Sequence, residues 1–298
     1  MTLLERIREA AEVFEGVLGV SVKHLGTGES ASLNGDELFP TASVFKVPVI
    51  VALYGMVDAG TASLDEKTVL REGNKVPGSG ILKELSPGLE IALRDLVTLM
   101  MIVSDNTATD LVTERVGLEN VNSTLRRLGL ERTRVVADCR DILFDLIDLD
   151  DLPEEEKTLA MFEERAHVTT LGGSWSLGVD ENDVTTPNEM LRLLEMIVGG
   201  EAASRESCDA ILDTMRRCQT GGYRIGKYLP REKVEIAHKT GSIPGVRNDA
   251  SVVTLLDSGE RYILACFTKE ATDGYAAEEA IARGSKGVYA HFTSKRGG

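Results

Sequence analysis

Residues 41–53 read TASVFKVPVIVAL, and the character of the chain changes within this stretch. The sequence before it is strand-like, whereas from Ser43 it turns helical and stays largely so until about residue 218. Ser43 and Lys46 are three positions apart, so at a helix start they share one face. The helix N-terminus stabilises negative charge near the serine, and a neutral Lys46 can accept its proton. Alone, this spacing arises by chance about once in a chain this size, and an ordinary helix start explains a lone match better.

A second polar group interrupts the apolar run LVTLMMIVSDNTATDLV at residues 96–112. Here Ser104, Asp105 and Asn106 stand between two predicted helices. Taken alone, Ser104 or Asp105 is better explained as the N-cap of the second helix. The functional hypothesis gives Ser104 the task of passing a proton and lets the Asn106 side-chain amide bind a substrate carbonyl.

A third group closes the predicted strand VEIAHKTG. The plain alternative for Lys239 is a solvated lysine before a turn. In the functional hypothesis Lys239 supplies positive charge, Thr240 binds an anionic substrate group, and Gly241 lets the substrate backbone lie close to the strand. The N–H groups of Ser242 and Ser43 would then form an oxyanion hole.

Together the order and context of these three groups resemble class A β-lactamases and penicillin-binding proteins, which carry S-x-x-K, S-D-N and K-T-G in one site. The resemblance spans nearly the whole chain and includes PGSGILKEL (77–85), TTPNEMLRLLEMIVGG (185–200), TGGYRIGKYLP (220–230) and RNDASVV (247–253). It implies the two-lobe α/β (α+β) fold of this family, with the active site between a sheet and a helical lobe. It also implies a serine hydrolase that forms an acyl-enzyme at Ser43.

The resemblance assigns further roles by position. Lys46 is implied as the acylation base, and Ser104 as the group that passes a proton to the leaving nitrogen. Side chains of the strand motif and an arginine are implied to hold a substrate carboxylate. A surface role is the alternative for either arginine, and for Arg247 it is about as good an explanation. The implied carboxylate-binding residues are Lys239, Thr240, Ser242, Arg224 and Arg247.

The pattern of strands and helices predicts a single domain over residues 1–298. Strands at both termini would form one antiparallel sheet flanked by terminal helices. This sheet lobe takes in about 1–42 and 219–298, and an all-helical lobe takes in about 43–218. An acidic insertion at 137–183 is expected to pass over the junction of the two lobes as an ordered segment.

The same insertion departs from the family pattern. Where the family has Glu-Pro-Glu-Leu-Asn, whose first glutamate activates the deacylating water, this chain reads RVVADCRDILFDL. Deacylation needs a general base within hydrogen-bond reach of a water. Acids of the insertion are candidate bases, although a solvated face explains each of them better; they are Asp138, Asp141, Glu163 and Glu164. Three hypotheses stay open: a β-lactamase with a substitute base, a serine esterase, amidase or D,D-peptidase with another substrate, and a penicillin-binding sensor that acylates without turnover.

Composition narrows the remaining function classes. A net charge of −15 disfavours nucleic-acid binding, so the expected partner is a small-molecule substrate and the chain is expected to be a monomer. The four cysteines form no CxxC pair and the four histidines no HExxH, so neither a metal nor another cofactor is expected. The sequence has no apolar run of 18 residues, so no membrane span is predicted. The N-terminus lacks the apolar run of a signal peptide, which indicates a cytoplasmic protein or an exported one whose leader was removed.

Overall fold

The computed structural model describes residues 1–12, 14–149, 151–166 and 182–294. The helices of this part are α1 (Leu3–Ala11), α2 (Lys46–Asp58), α3 (Leu93–Ile102), α4 (Asn106–Val116), α5 (Leu118–Arg127), α6 (Cys139–Asp145), α7 (Leu159–Ala166), α8 (Pro187–Gly199), α9 (Arg205–Arg216) and α10 (Gly274–Ser294). Its strands are β1 (Val17–His24), β2 (Ser30–Leu33), β3 (Phe39–Pro40), β4 (Lys67–Val69), β5 (Glu90–Ala92), β6 (Val184–Thr185), β7 (Val234–Ile243), β8 (Val246–Leu255) and β9 (Arg261–Lys269).

Five strands from both ends of the chain form one antiparallel sheet, as predicted. Their order is β2-β1-β9-β8-β7. The tight connection between β8 and β9 contains the predicted Ser258-Gly259 turn. β7 lies at the edge of this sheet and contacts the segment that carries Ser43. The end of β7, which carries the lysine motif, therefore lies next to the start of the helical block.

The sheet is covered on both faces, which explains why β9 reads as a continuous apolar run. Ile263, Ala265 and Phe267 face the main core, which also contains α2, α3 and α8 side chains. The alternate residues Tyr262 and Leu264 face a second core against α1 and α10. Helices therefore sandwich the sheet, and the fold is mixed α and β, as predicted.

Helix α10 runs without interruption through its two internal glycines. A Cβ added at Gly287 would lie 3.1 Å from the Cβ of Arg6, and one at Gly284 would lie 3.6 Å from the Cβ of Ala10. Both neighbours belong to α1, so the glycines let these two terminal helices approach closely.

The predicted helical block contains eight of the helices in the described residues, together with short strands that the sequence pattern did not predict. β4 pairs with β5, and β6 pairs with β3 beside the segment leading to Ser43. The described part of 137–183 contains α6 and α7; residues 150 and 167–181 lie outside the described residues. Within the described part of the chain, no helix is long and apolar enough to cross a membrane.

Candidate active site

Ser43 lies in a short 3-10 helix, Ala42–Phe45, that leads directly into α2 at Lys46. The buried side chains of Val44 and Phe45 anchor this turn in the main core. Ala42 has a φ of +42°, a left-handed conformation that costs energy in a residue with a side chain. The half-buried Ser43 lines the cleft, and its N–H belongs to the first turn of a helix, where backbone donors lack intrahelical partners.

Lys46 is fully buried and reaches from α2 to the connection between α3 and α4. Its Nζ donates to the Ser104 carbonyl oxygen at 2.9 Å, to Ser104 Oγ at 3.0 Å and to Asn106 Oδ1 at 3.0 Å. Ser104 has a φ of +57°, which turns its carbonyl and hydroxyl toward the lysine. Asp105 caps α4 by accepting from Ala108 N at 2.9 Å. The N-cap explanation therefore holds for Asp105, while its two neighbours face Lys46.

Lys239 reaches the same hydroxyl from the end of β7. Its Nζ donates to Ser104 Oγ at 3.0 Å and to the Thr240 carbonyl oxygen at 2.8 Å. Burial lowers the pKa of Lys46. Burial, together with the positive charge of Lys46, lowers the pKa of Lys239 to about 7. One of the two amines can thus lose its proton near neutral pH, with Ser104 between them.

Gly241 brings the edge of the sheet against the serine turn. A Cβ added there would lie 2.6 Å from the Thr41 carbonyl oxygen and 3.1 Å from Ser43 N. A side chain at this position would push β7 away from Ser43. Next to it, Thr240 Oγ1 lies 2.6 Å from Thr220 Oγ1.

Asn106 Nδ2 donates one hydrogen to Pro77 O at 2.9 Å, which leaves its second N–H for another acceptor.

The two arginines occupy different places. Arg224 is buried at the cleft wall, donates to Ser242 Oγ at 2.5 Å and to Gly241 O at 3.0 Å, and is 3.0 Å from Glu278 Oε1. Arg247 donates to carbonyl oxygens of its own hairpin and lines a neighbouring depression that meets the cleft at Ser242. The structure therefore brings Arg224 to the cleft wall, whereas the backbone of its own hairpin and Glu278 hold the Arg247 guanidinium beside the cleft. The substrate-binding roles of both arginines stay predictions.

The cleft has a volume of about 300 Å³. Sequence reasoning did not single out several of its walls, although Ser79 and Thr220 stand in PGSGILKEL and TGGYRIGKYLP, the two segments that carried the resemblance. The lining residues beyond those discussed are Phe45, Gly78, Ser79, Cys139, Ile142, Leu143, Thr220, Gly221 and Ile243.

None of the four predicted bases lines the cleft. Asp138 caps α6 through Asp141 N, Asp141 pairs with Lys157, and the other two, Glu163 and Glu164, are exposed on α7. From the described part of the insertion, only Cys139 and two apolar residues of α6 reach the cleft. Burial raises the pKa of the Cys139 thiol well above its usual value, so it stays neutral. The helix cap holds Asp138, the pair with Lys157 holds Asp141, and the two glutamates are exposed, which agrees with the alternative of a solvated face for the glutamates. A role of any of these acids as the base stays an untested hypothesis.

Comparison with known proteins finds relatives and solved structures that match this chain over most of its length. The profile of the beta-lactamase enzyme family matches residues 2–292. A beta-lactamase of Bacteroides uniformis is 29% identical over 278 residues, 88% of this chain and 82% of that protein. The crystal structure of beta-lactamase from Sphaerobacter thermophilus has a TM-score of 0.79 at 31% identity, covering 98% of this chain and 97% of that one. A mutant of PBP-A, solved as an acyl-enzyme complex with penicillin G, has a TM-score of 0.78 at 28% identity, covering 98% and 96%.

The match of the family profile to nearly the whole chain agrees with the three motifs and with the sheet that carries the last of them. The chain therefore belongs to the beta-lactamase enzyme family.

Proposed function

We propose that the chain is a serine hydrolase that forms an acyl-enzyme at Ser43 with β-lactams or related amides. The observation that carries this proposal is one shared hydroxyl: Ser104 Oγ lies 3.0 Å from Lys46 Nζ and 3.0 Å from Lys239 Nζ, in the cleft that Ser43 lines. Family membership and the two beta-lactamase relatives support a β-lactam as substrate, as does the PBP-A complex with penicillin G.

Two ammonium groups around one hydroxyl favour the loss of one proton, because like charges in a buried site disfavour double ionisation. In our proposal, neutral Lys46 accepts the proton of Ser43 as the serine oxygen attacks the amide carbonyl carbon. Ser104 then passes a proton to the leaving nitrogen as the C–N bond breaks. Lys239 keeps the local charge balanced while the proton moves.

The backbone N–H groups of Ser43 and Ser242 are the proposed oxyanion hole for the tetrahedral intermediate. The contact between Gly241 and the serine turn supports this role, because it fixes the two backbone segments against each other. Lys239, Thr240 and Ser242 are the proposed partners of a substrate carboxylate. Arg224 already pairs with Glu278, so its proposed role is to hold Ser242.

A specific observation favours a second function, a penicillin-binding protein that acylates with little turnover. The described part of the insertion presents Cys139, Ile142 and Leu143 to the cleft and no carboxylate. A neutral thiol and two apolar side chains supply no general base for a deacylating water. In that function the acyl-enzyme is the end state.

The test combines intact-mass spectrometry after incubation with penicillin G and a chromogenic cephalosporin assay. We expect the chain to gain the mass of one penicillin and Ser43→Ala to gain none. Ser123→Ala, on the exposed face of α5, is the matched control and should behave like the unchanged chain. Fast turnover identifies a β-lactamase, and a persistent adduct identifies a penicillin-binding protein. Neither adduct nor turnover, or an adduct in Ser43→Ala, would contradict the proposal.

A further inference from the structure

A second cluster of reactive side chains lies beside β7, outside the cleft. His238 Nδ1 is 2.9 Å from Asp249 Oδ1, and Asp249 is fully buried on the neighbouring strand β8. The Cys218 thiol, which follows α9, lies 3.3 Å from Thr220 Oγ1 and lines the same depression as His238. A cysteine thus shares one depression with a histidine–carboxylate pair, the set of groups that activates a thiol for nucleophilic attack.

The charges around the cluster favour an ion pair of thiolate and imidazolium. Burial lowers the pKa of His238, but the charge and hydrogen bond of Asp249 outweigh it and raise this pKa to about 10. Burial raises the pKa of Cys218, but the nearby His238, the charge of Lys239 and the contact with Thr220 outweigh it and lower this pKa to about 7. A large share of Cys218 is thus thiolate at neutral pH.

The other three cysteines of the chain provide an internal contrast. Cys139, Cys208 and Cys266 are buried, and burial raises the pKa of each thiol. Cys218 alone among the four is partly exposed. Selective chemistry at one thiol is expected from this difference, because exposure and thiolate character together set reactivity.

Cys218 and His238 open into a depression of about 300 Å³ that adjoins the cleft at Thr220 and Gly221. Its walls are the backbone of Gly221 and Gly226, the side chain of Leu229 and the exposed Arg231. A volume of this size accepts a small organic molecule. The charges of Arg231 and of the His238 imidazolium favour one that carries a carboxylate.

We propose that Cys218 is a modification site that forms mixed disulfides with small anionic disulfides bound in this depression. The Cys218 thiolate attacks one sulfur of the disulfide R–S–S–R, a new S–S bond forms between Cys218 and that sulfur, and the original S–S bond breaks. The other half leaves as R–S⁻ and is protonated by solvent if its pKa exceeds the pH. The disulfide itself is the oxidant, and a small thiol reverses the step. This chemistry does not depend on the proposed function of the cleft.

The experiment uses the full folded chain and dithiobis(nitrobenzoate), an anionic aromatic disulfide whose released thiolate is coloured. We expect one fast equivalent, mapped to Cys218 by peptide mass spectrometry, with a pH midpoint of about 7. Cys218→Ser should abolish this fast phase, and the matched control Cys139→Ala should retain it. Cystamine, a cationic disulfide, should react more slowly than the anionic disulfide. Arg231→Gln should reduce this difference in rate between the two disulfides.

A variant of the histidine tests the cluster rather than the lone thiol. In His238→Gln the midpoint should rise above the ordinary cysteine value of about 8.5. Circular dichroism checks the folding of this variant, and an unfolded chain would show four reactive equivalents instead of one. If His238→Gln does not fold, the comparison of Cys218→Ser with Cys139→Ala still decides whether the fast thiol is Cys218. A fast adduct on another cysteine, no fast equivalent in the folded chain, or an unchanged midpoint in folded His238→Gln would overturn the proposal.

Discussion

Gly241 is the residue at which the sheet and the serine turn meet most closely. We predict that Gly241→Ala lowers the rate of acylation by penicillin G about 100-fold, because a shift of about 1 Å in reacting groups has this effect. The added methyl group would lie 2.6 Å from a backbone oxygen, so the backbone itself must move. We also expect a loss of about 1–3 kcal/mol in the free energy of unfolding. Intact-mass time courses and urea denaturation measure the two effects.

Gly222→Ala is the matched control, because nothing lies within 4 Å of a Cβ built at Gly222. Its acylation rate and its unfolding should match those of the unchanged chain. Equal rates for Gly241→Ala and Gly222→Ala would show that the close approach of β7 to Ser43 does not matter for the reaction.

At the residue scale, the sequence predicted the side chains that meet but not the backbone that makes them meet. The motif spacing singled out Ser43 and Ser104, which line one cleft, and Lys46, which hydrogen-bonds Ser104 behind it. It gave no sign of the left-handed backbone at Ala42 and Ser104, because neither residue type favours that conformation. The roles of these side chains stay proposals. The sequence also did not predict where the two arginine side chains lie, because both come near Glu278, which is distant in sequence, and Arg247 also donates to its own hairpin backbone.

At the scale of elements, Asp183 joins the strand before α8 to two other segments. Its Oδ1 accepts from Val136 N at 2.6 Å and from Ala137 N at 3.1 Å, just before α6. Its carbonyl oxygen accepts from Thr41 N at 2.9 Å, just before the serine turn. Its Oδ2 has no hydrogen-bond partner among the described residues. Burial raises the pKa of this carboxyl to about 8, although the two N–H donors oppose the shift.

This raised pKa gives a pH dependence with a definite sign. Between the ordinary value of about 3.9 and the folded value near 8, the folded chain keeps a proton that the unfolded chain has lost. The contribution to stability is therefore full at low pH and declines as pH rises to about 8, by about 1.4 kcal/mol per unit. Asp183→Asn cannot titrate, so we predict that its stability relative to the unchanged chain increases from pH 5 to pH 8.

Urea denaturation at several pH values measures this difference. Asp257→Asn, at an exposed position after β8, serves as the control and should show no such trend. If the stability of Asp183→Asn runs parallel to that of the unchanged chain at all pH values, the carboxyl is already ionised in the folded state.

The elements were predictable to the extent that local pattern decides them. Alternation and turn residues located the large sheet and the Ser258-Gly259 turn. The short pairs β3–β6 and β4–β5 were not predicted, because two or three residues carry too little periodicity. Asp138 was considered as a base, whereas its position before α6 makes it an N-cap. Such a cap and a catalytic carboxylate have the same sequence signature, and only the direction of the side chain separates them.

At the scale of the whole molecule, the predicted lobes share one hydrophobic core. Side chains of β9 from the sheet lobe pack in the same buried cluster as side chains of α2 and α8 from the helical lobe. Neither part could keep its apolar surface buried if the other unfolded. The single-domain organisation, the monomeric state and the exclusion of nucleic acid were all inferred from pattern and charge. They remain predictions, and the first has a direct test within the chain.

Two buried cysteines report on the two lobes separately. Cys208 lies on α9 in the predicted helical lobe and Cys266 on β9 in the predicted sheet lobe, at 0% and 1% exposure. Cys266 faces the second core, but its neighbours Ala265 and Phe267 pack in the main core with Cys208. We therefore predict that both thiols become accessible to a maleimide at the same urea concentration, because this shared packing makes unfolding cooperative. Pulse labelling followed by peptide mass spectrometry gives a midpoint for each thiol, and far-ultraviolet circular dichroism should give the same value. Labelling of Cys208 at clearly lower urea than Cys266 would mean that the helical lobe unfolds on its own and that the chain contains two domains.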